Sequence, residues 1–172
     1  MTVSPVSPVT ATTNANTHFS RWFGAQLPSG LRAQGTQLSW DHFVAVYGRS
    51  PGRLRLNQWA CLDAERPAGR RAPQGNTYRA TITVGDRVVT CTAAASGPVG
   101  ALTTMLYEQG IAVEMVRFHQ YGGQYGGADH TATFVYGSDG RCGSWAIGMS
   151  PDRALSAVEA VVICANRLLL AG

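Results

Sequence analysis

The chain has 172 residues, 45% of them hydrophobic and 14% charged, an ordinary globular composition with room for one domain and a short attachment. Its net charge of +4 comes mostly from arginines, several of them in Glu65-Arg66-Pro67-Ala68-Gly69-Arg70-Arg71, which reads as a solvated loop among Pro and Gly rather than a nucleic-acid surface. The four cysteines, Cys61, Cys91, Cys142 and Cys164, are scattered without a CxxC pair, so no disulfide framework is expected and a reducing compartment is.

Residues 1–17 are Thr, Ser, Pro, Val, Ala and Asn without a period, and are expected to be a disordered tail. They carry no basic region followed by an apolar one, so no secretory signal is read there. Residues 18–52 read as a linker-like segment with one short helix. Ser39 is its N-cap, and Trp40, Phe43, Val44 and Tyr47 share its apolar side. Gly48 and Pro51 end it.

From residue 53 to 172 the chain reads as two copies of one unit. Strands are expected at 53–63, 76–84 and 88–93. In the second of these, Tyr78, Ala80, Ile82 and Val84 face one way and Thr77, Arg79, Thr81 and Thr83 the other. Gly85-Asp86 is the hairpin turn. A helix follows at 98–109 with Val99, Leu102, Met105 and Leu106 inward, closed by Gly110.

The second copy has strands at 111–118, 131–136 and 142–149, with a Gly- and Tyr-rich loop expected at 119–127. A long helix is expected at 151–169, capped by Ser150 with Pro151 first, its stripe being Leu155, Val158, Val162, Ala165 and Leu169. Ile163, Cys164 and Leu168 widen that stripe and suggest a dimer face. This apolar run is broken by Asn166 and Arg167, so no membrane span is expected and the cytoplasm is. Pro98 and Pro151 stand 53 residues apart, as do Asp86 and Asp139. Two landmarks at one offset predict a duplicated βββα unit: an α+β fold of antiparallel sheets with two helices packed on them.

The stretch from Ala95 to Leu102 carries the most chemistry. Small residues precede a helix whose first turn has Pro98, and the free N–H groups of such a turn suit a carboxylate. A plain strand-to-helix turn has the same spacing, and no GxGxxG or GxxxxGK[ST] pattern marks a nucleotide site.

Ser96-Gly97-Pro98-Val99-x-Ala101, then Gly127-Ala128-Asp129, Trp145-Ala146-Ile147-Gly148 and Ala165-Asn166-Arg167, together resemble the C-terminal allosteric domain of 2-isopropylmalate synthase from about Leu27 onward. The resemblance implies two βββα units that bind leucine and dimerise, with residues 27–47 similar to the linker that joins barrel to allosteric domain. It implies a ligand site at Ser96, Gly97, Pro98, Val99 and Ala101, with His119 and Tyr121 near the family's site tyrosine. Asp129 would accept the ligand's ammonium, and Val99 and Met115 would form apolar wall. Ala95, Ser96 and Gly100 depart from the family's Gly, Asn and Asp.

The synthase reaction belongs to a metal-dependent barrel of some 250 residues or more. This chain has neither the barrel nor a His-x-His pair; His18, His42, His119 and His130 are dispersed, with no metal-ligand spacing. No G-x-S-x-G turn presents a nucleophile. A non-catalytic domain without cofactor or metal is expected, binding leucine or a similar amino or keto acid. Three readings stay open: that one, a purely structural partner of itself or of a full-length synthase, and nucleic-acid binding through the arginine loop and the tyrosines.

Overall fold

The computed structural model describes residues 13–49, 51–63 and 75–172. It opens with α1 (Ala15–Phe23), a 3-10 turn (Ser29–Leu31), α2 (Arg32–Gln37) and α3 (Trp40–Tyr47). Two units follow in one order: β1 (Leu54–Cys61), β2 (Asn76–Val84), β3 (Arg87–Ala95) and α4 (Pro98–Glu108), then β4 (Glu114–Tyr125), β5 (Ala128–Ser138), β6 (Gly143–Ser150) and α5 (Arg153–Ala171). Each unit forms its own antiparallel sheet, ordered β1-β2-β3 and β4-β5-β6. The duplicated α+β architecture read from the repeat is present.

The first sheet has one covered face. Tyr78, Ala80 and Ile82 of β2 are buried with Cys91 and Ala93 of β3, against Leu102, Met105 and Leu106 of α4. Arg79 between them is exposed, as strict alternation requires. Gly85, at φ +62°, turns β2 directly into β3.

The second sheet is covered on both faces. Residues 131–135 of β5 are buried without a break. Ala132 and Phe134, with Ile147, pack on Phe19, Phe23, Trp40 and Phe43 from the N-terminal helices. Val135 and Ala146 face Ala160, Cys164 and Leu168 of α5. At nine residues α1 is too short to hold its shape alone. Burying side chains such as Phe19 and Phe23, worth about 1.5–3 kcal/mol each, is what fixes it to the sheet.

Several expectations need correction. Residues 14–17 belong to the fold rather than to a tail: Asn14 caps α1, its Oδ1 accepting from the Thr17 N–H at 3.0 Å, and Ala15 is buried. The expected tail at 1–12 and the arginine loop at 65–71 lie outside the described residues. The segment at 18–52 contains three helices rather than one, because it supplies the second sheet's outer cover. The expected loop at 119–127 is strand β4 through Tyr125, and only Gly126 and Gly127 turn, at φ +61° and +80°. Gly123 is there for close approach: an added Cβ would run into the Trp22 carbonyl and Phe23.

The long helix starts at Arg153, not Pro151, because Asp152 rather than Ser150 caps it, its Oδ1 accepting from the Leu155 N–H at 2.8 Å. Its buried side is also wider than one stripe. Val158, Val161, Val162 and Ala165 join the first core, while Ala160, Cys164 and Leu168 join the second. Cys164 and Leu168 are therefore internal, and Leu155 and Leu169 are exposed.

Candidate functional site

Residues 93–95 end β3 and the chain turns into α4 at Gly97, whose extended backbone is the helix N-cap. No side chain caps this helix. By contrast Asn14, Ser39 and Asp152 cap α1, α3 and α5 through their side chains. Pro98 has no N–H to satisfy, so the Val99 and Gly100 N–H groups are the first-turn donors left for a ligand. The positive end of the helix dipole lies at the same place.

A cleft of about 520 Å³ opens there. One wall is the start of α4, Ser96 to Gly100; the other is the start of α5, with Arg153, Ala154 and Ala157. Strand β4 contributes Phe118 and Gln120. The site therefore has two helix starts, one guanidinium and an apolar lining. A larger groove of about 720 Å³ beside α1 is lined by Asn16, Ser20, Arg21 and Arg32 among others, with Leu27 as its one aliphatic side chain.

Arg153 is held in place. Its Nε and Nη2 donate to Gln120 Oε1 at 3.0 and 2.8 Å. Gln120 Nε2 donates to the Arg153 carbonyl at 3.0 Å and to Thr133 Oγ1 at 3.0 Å. Thr133 Oγ1 lies 2.7 Å from Ser156 Oγ, which sits 2.9 Å from the Thr131 carbonyl and 3.0 Å from that of Gly148. The Thr131 and Gly148 carbonyls can only accept, so the single Ser156 proton goes to them and Thr133, which accepts from Gln120, donates to Ser156. Thr133 and Ser156 are fully buried. The chain of donors thus runs from the core to the guanidinium at the cleft.

Among the expected site residues, Ser96, Gly97, Pro98 and Val99 line the cleft. Ala101 does not: it is fully buried in the first core, one turn behind the cap. His119 and Tyr121 do not either, because they point to the opposite face of the second sheet from Phe118 and Gln120. Tyr121 meets Phe19 edge-on at 5.4 Å, and His119 stacks with Trp145 at 6.3 Å. Asp129 is at the outer end of the β4–β5 hairpin, paired with Gln124 and hydrogen-bonded to its amide. Met115 packs between the two cores rather than at the cleft.

Phe118, Gln120 and Arg153, with Ala154 and Ala157 beside them, line the cleft outside the set expected from the sequence. Reading 119–127 as a loop discarded the alternation that sets 118 and 120 on one face and 119 and 121 on the other. The repeat carried the signal for the third: the offset that pairs Pro98 with Pro151 also pairs Gly100 with Arg153, and both line the cleft.

Fold and cleft define a duplicated βββα domain with a small cleft at its two helix starts. In sequence, the chain is similar to 2-isopropylmalate synthase. It is 27% identical to that of Pseudarthrobacter chlorophenolicus over 95 residues, which is 55% of this chain and 16% of the relative. It is 28% identical to that of an Arthrobacter species over 93 residues, 54% of this chain and 16% of the relative. The synthase of Renibacterium salmoninarum is 27% identical over 74 residues, 43% of this chain and 13% of the relative. The match thus spans less than a fifth of the length of these relatives. No family model matches the chain.

Proposed function

We propose that this chain is a non-catalytic regulatory-type domain that binds a small branched amino or keto acid, leucine-like in shape, and dimerises. The observation that carries the reading is the cleft where the uncapped start of α4 meets Arg153 of α5. A carboxylate there gains first-turn N–H groups, the positive dipole end of α4 and the guanidinium protons that Gln120 does not take. Val99, Phe118, Ala154 and Ala157 give a branched side chain an apolar wall. The similarity to part of 2-isopropylmalate synthase, whose C-terminal domain the motifs resemble, supports the same ligand class. The synthase reaction itself is proposed to lie outside this chain.

Dimerisation rests on the family resemblance and on the exposed Leu169 and Leu170 near the end of α5. Light scattering at micromolar concentration tests it, and a monomer refutes it.

Thermal melting with leucine and with 4-methyl-2-oxopentanoate tests the ligand. A hundredfold excess over Kd stabilises the native state by about 2.7 kcal/mol. For a domain of this size that is a rise in Tm of about 5–10 °C. An unchanged Tm with both compounds refutes binding and leaves the chain a structural partner.

A further inference from the structure

We infer that the groove between α1 and α2 is a second ligand site, separate from the cleft, for the phosphate group of a small hydroxylated ester such as a sugar phosphate. Arg21 and Arg32 take the phosphate, and the hydroxyls and amides beside them take the rest of the molecule.

Two helices bring two guanidiniums to one groove. Asn16, Thr17, Ser20 and Arg21 stand at i, i+1, i+4 and i+5 of α1, so they share one side of that helix. Arg32 comes from the start of α2, and Gln26 and Leu27 of the connecting segment complete the lining. The helices are tied together. Asn16 Nδ2 donates to the Arg32 carbonyl at 2.8 Å and to Thr36 Oγ1 at 2.9 Å. At Gly35 an added Cβ would run into Asn16 Oδ1 and Leu27, so α1 and α2 meet in close contact. Arg32 Nε donates to the Leu27 carbonyl at 2.9 Å, which fixes the guanidinium and leaves its terminal N–H groups for a ligand. A groove built in this way loses little affinity to ordering when it binds.

The lining is rich in donors and poor in apolar surface. Arg21 brings five N–H donors and Arg32 the four that Leu27 does not take. A phosphate monoester presents three oxygens and nearly two negative charges at neutral pH, which two guanidinium forks match in charge and geometry. A single carboxylate would satisfy one fork only. Ser20 and Gln26 can each donate or accept. Thr17 Oγ1 gives its proton to Asn14 Oδ1 at 3.1 Å, so its lone pairs remain for a ligand hydroxyl. Leu27 is buried and is the one aliphatic side chain, so a chiefly apolar ligand finds no wall here.

The local sequence keeps the field positive. Residues 1–52 contain three arginines and a single acid, Asp41. Asp41 lies in the first turn of α3, where it complements that helix's own dipole, and it does not line the groove. Residues 1–12, which precede α1 in the chain, contain no charged side chain.

Calorimetric titration of the full chain at neutral pH tests the inference, with glucose 6-phosphate, glycerol 3-phosphate, inorganic phosphate and glucose as probes. At least one ester should bind about tenfold or more tighter than inorganic phosphate, and glucose should give no heat. Arg21→Gln should weaken that ester about tenfold or more. Arg21 is exposed in the last turn of α1, and a thermal melt should show the variant folded. Arg153→Met should leave the ester's affinity unchanged, because that guanidinium belongs to the cleft. No heat from either ester overturns the inference and leaves the cleft reading untouched. So does inorganic phosphate or glucose binding as tightly as the esters, or an unchanged affinity in Arg21→Gln. Affinity lost in Arg153→Met overturns it by placing the anion in the cleft.

Discussion

Asn166 closes both backbone groups of Leu54: its Oδ1 accepts from the Leu54 N–H at 3.0 Å and its Nδ2 donates to the Leu54 carbonyl at 2.8 Å. β1 is an edge strand, and the groups of Leu54 that point away from β2 find this amide on α5 in place of another strand. Asn166 and Leu54 are both buried, and Gly52 leaves the amide the room it needs.

Removing the amide should therefore cost more than two ordinary hydrogen bonds. Asn166→Ala leaves a buried N–H and a buried carbonyl without partners, about 2–4 kcal/mol. Asn166→Asp keeps the shape but sets a carboxylate oxygen against the Leu54 carbonyl, so it should fare no better at neutral pH. Urea melts of both variants check this, and a loss below about 1 kcal/mol in each would remove the amide from its role.

The Thr133–Ser156 pair predicts a coupling. Ser156→Ala leaves the Thr133 hydroxyl proton without an acceptor in a dry site, a loss of about 1–3 kcal/mol. Thr133→Val in the Ser156→Ala background should cost less than it does in the wild type, because the orphaned hydroxyl is gone. A double-mutant cycle measures the difference. Additive losses would mean that the two hydroxyls act independently.

Much of the fold was legible because alternation and repeat spacing are local properties of the chain. β2 matches its expected bounds, and the turn at Gly85 and the cap at Ser39, which accepts from the His42 N–H, lie where their residue types demand. What was hidden depended on distant contacts. Nothing near Thr131 or Thr133 announces that α1 and α3 bury one face of β5 while α5 buries the other. A run of Gly and Tyr reads locally as a loop; Gly123 becomes a strand residue once Trp22 and Phe23 lie against it. At the site, the α4 start was legible from its small residues, but Arg153 and Gln120 meet across 33 positions of chain. Asn166 was visible only as part of a motif. Its task is to hold an edge strand rather than a ligand.

Cys164 predicts an alkaline limit to stability. Burial pushes its thiol up to about 11 from the ordinary 9.0, with the Gly137 backbone and Arg167 opposing. The native state thus keeps a proton that the unfolded chain gives up first. This contribution is complete below the unfolded value and is lost as pH rises from about 9 to about 11, about 2–3 kcal/mol in all. Melts at neutral pH and near pH 10.5 should show a smaller alkaline fall in Cys164→Ala than in the wild type. Equal falls would place the titrating group elsewhere.

Gly97 offers the cleanest variant at the cleft. A Cβ built there meets nothing within 4 Å, and its φ of −161° is ordinary extended backbone, so a larger residue fits the fold without strain. The space that a valine side chain would fill is the cleft itself, beside the first-turn donors of α4. Gly97→Val should therefore lower stability only by the modest cost of a poorer N-cap, about 1 kcal/mol or less. It should at the same time abolish the rise in Tm caused by 4-methyl-2-oxopentanoate, because the ligand's carboxylate can no longer approach the helix start. Gly110→Val is the counter-example: it also has open space, but at φ +81° a side chain is strained and stability should fall with ligand binding retained. The pair separates occlusion from destabilisation. Ligand response retained in Gly97→Val at wild-type affinity would place the ligand away from the start of α4.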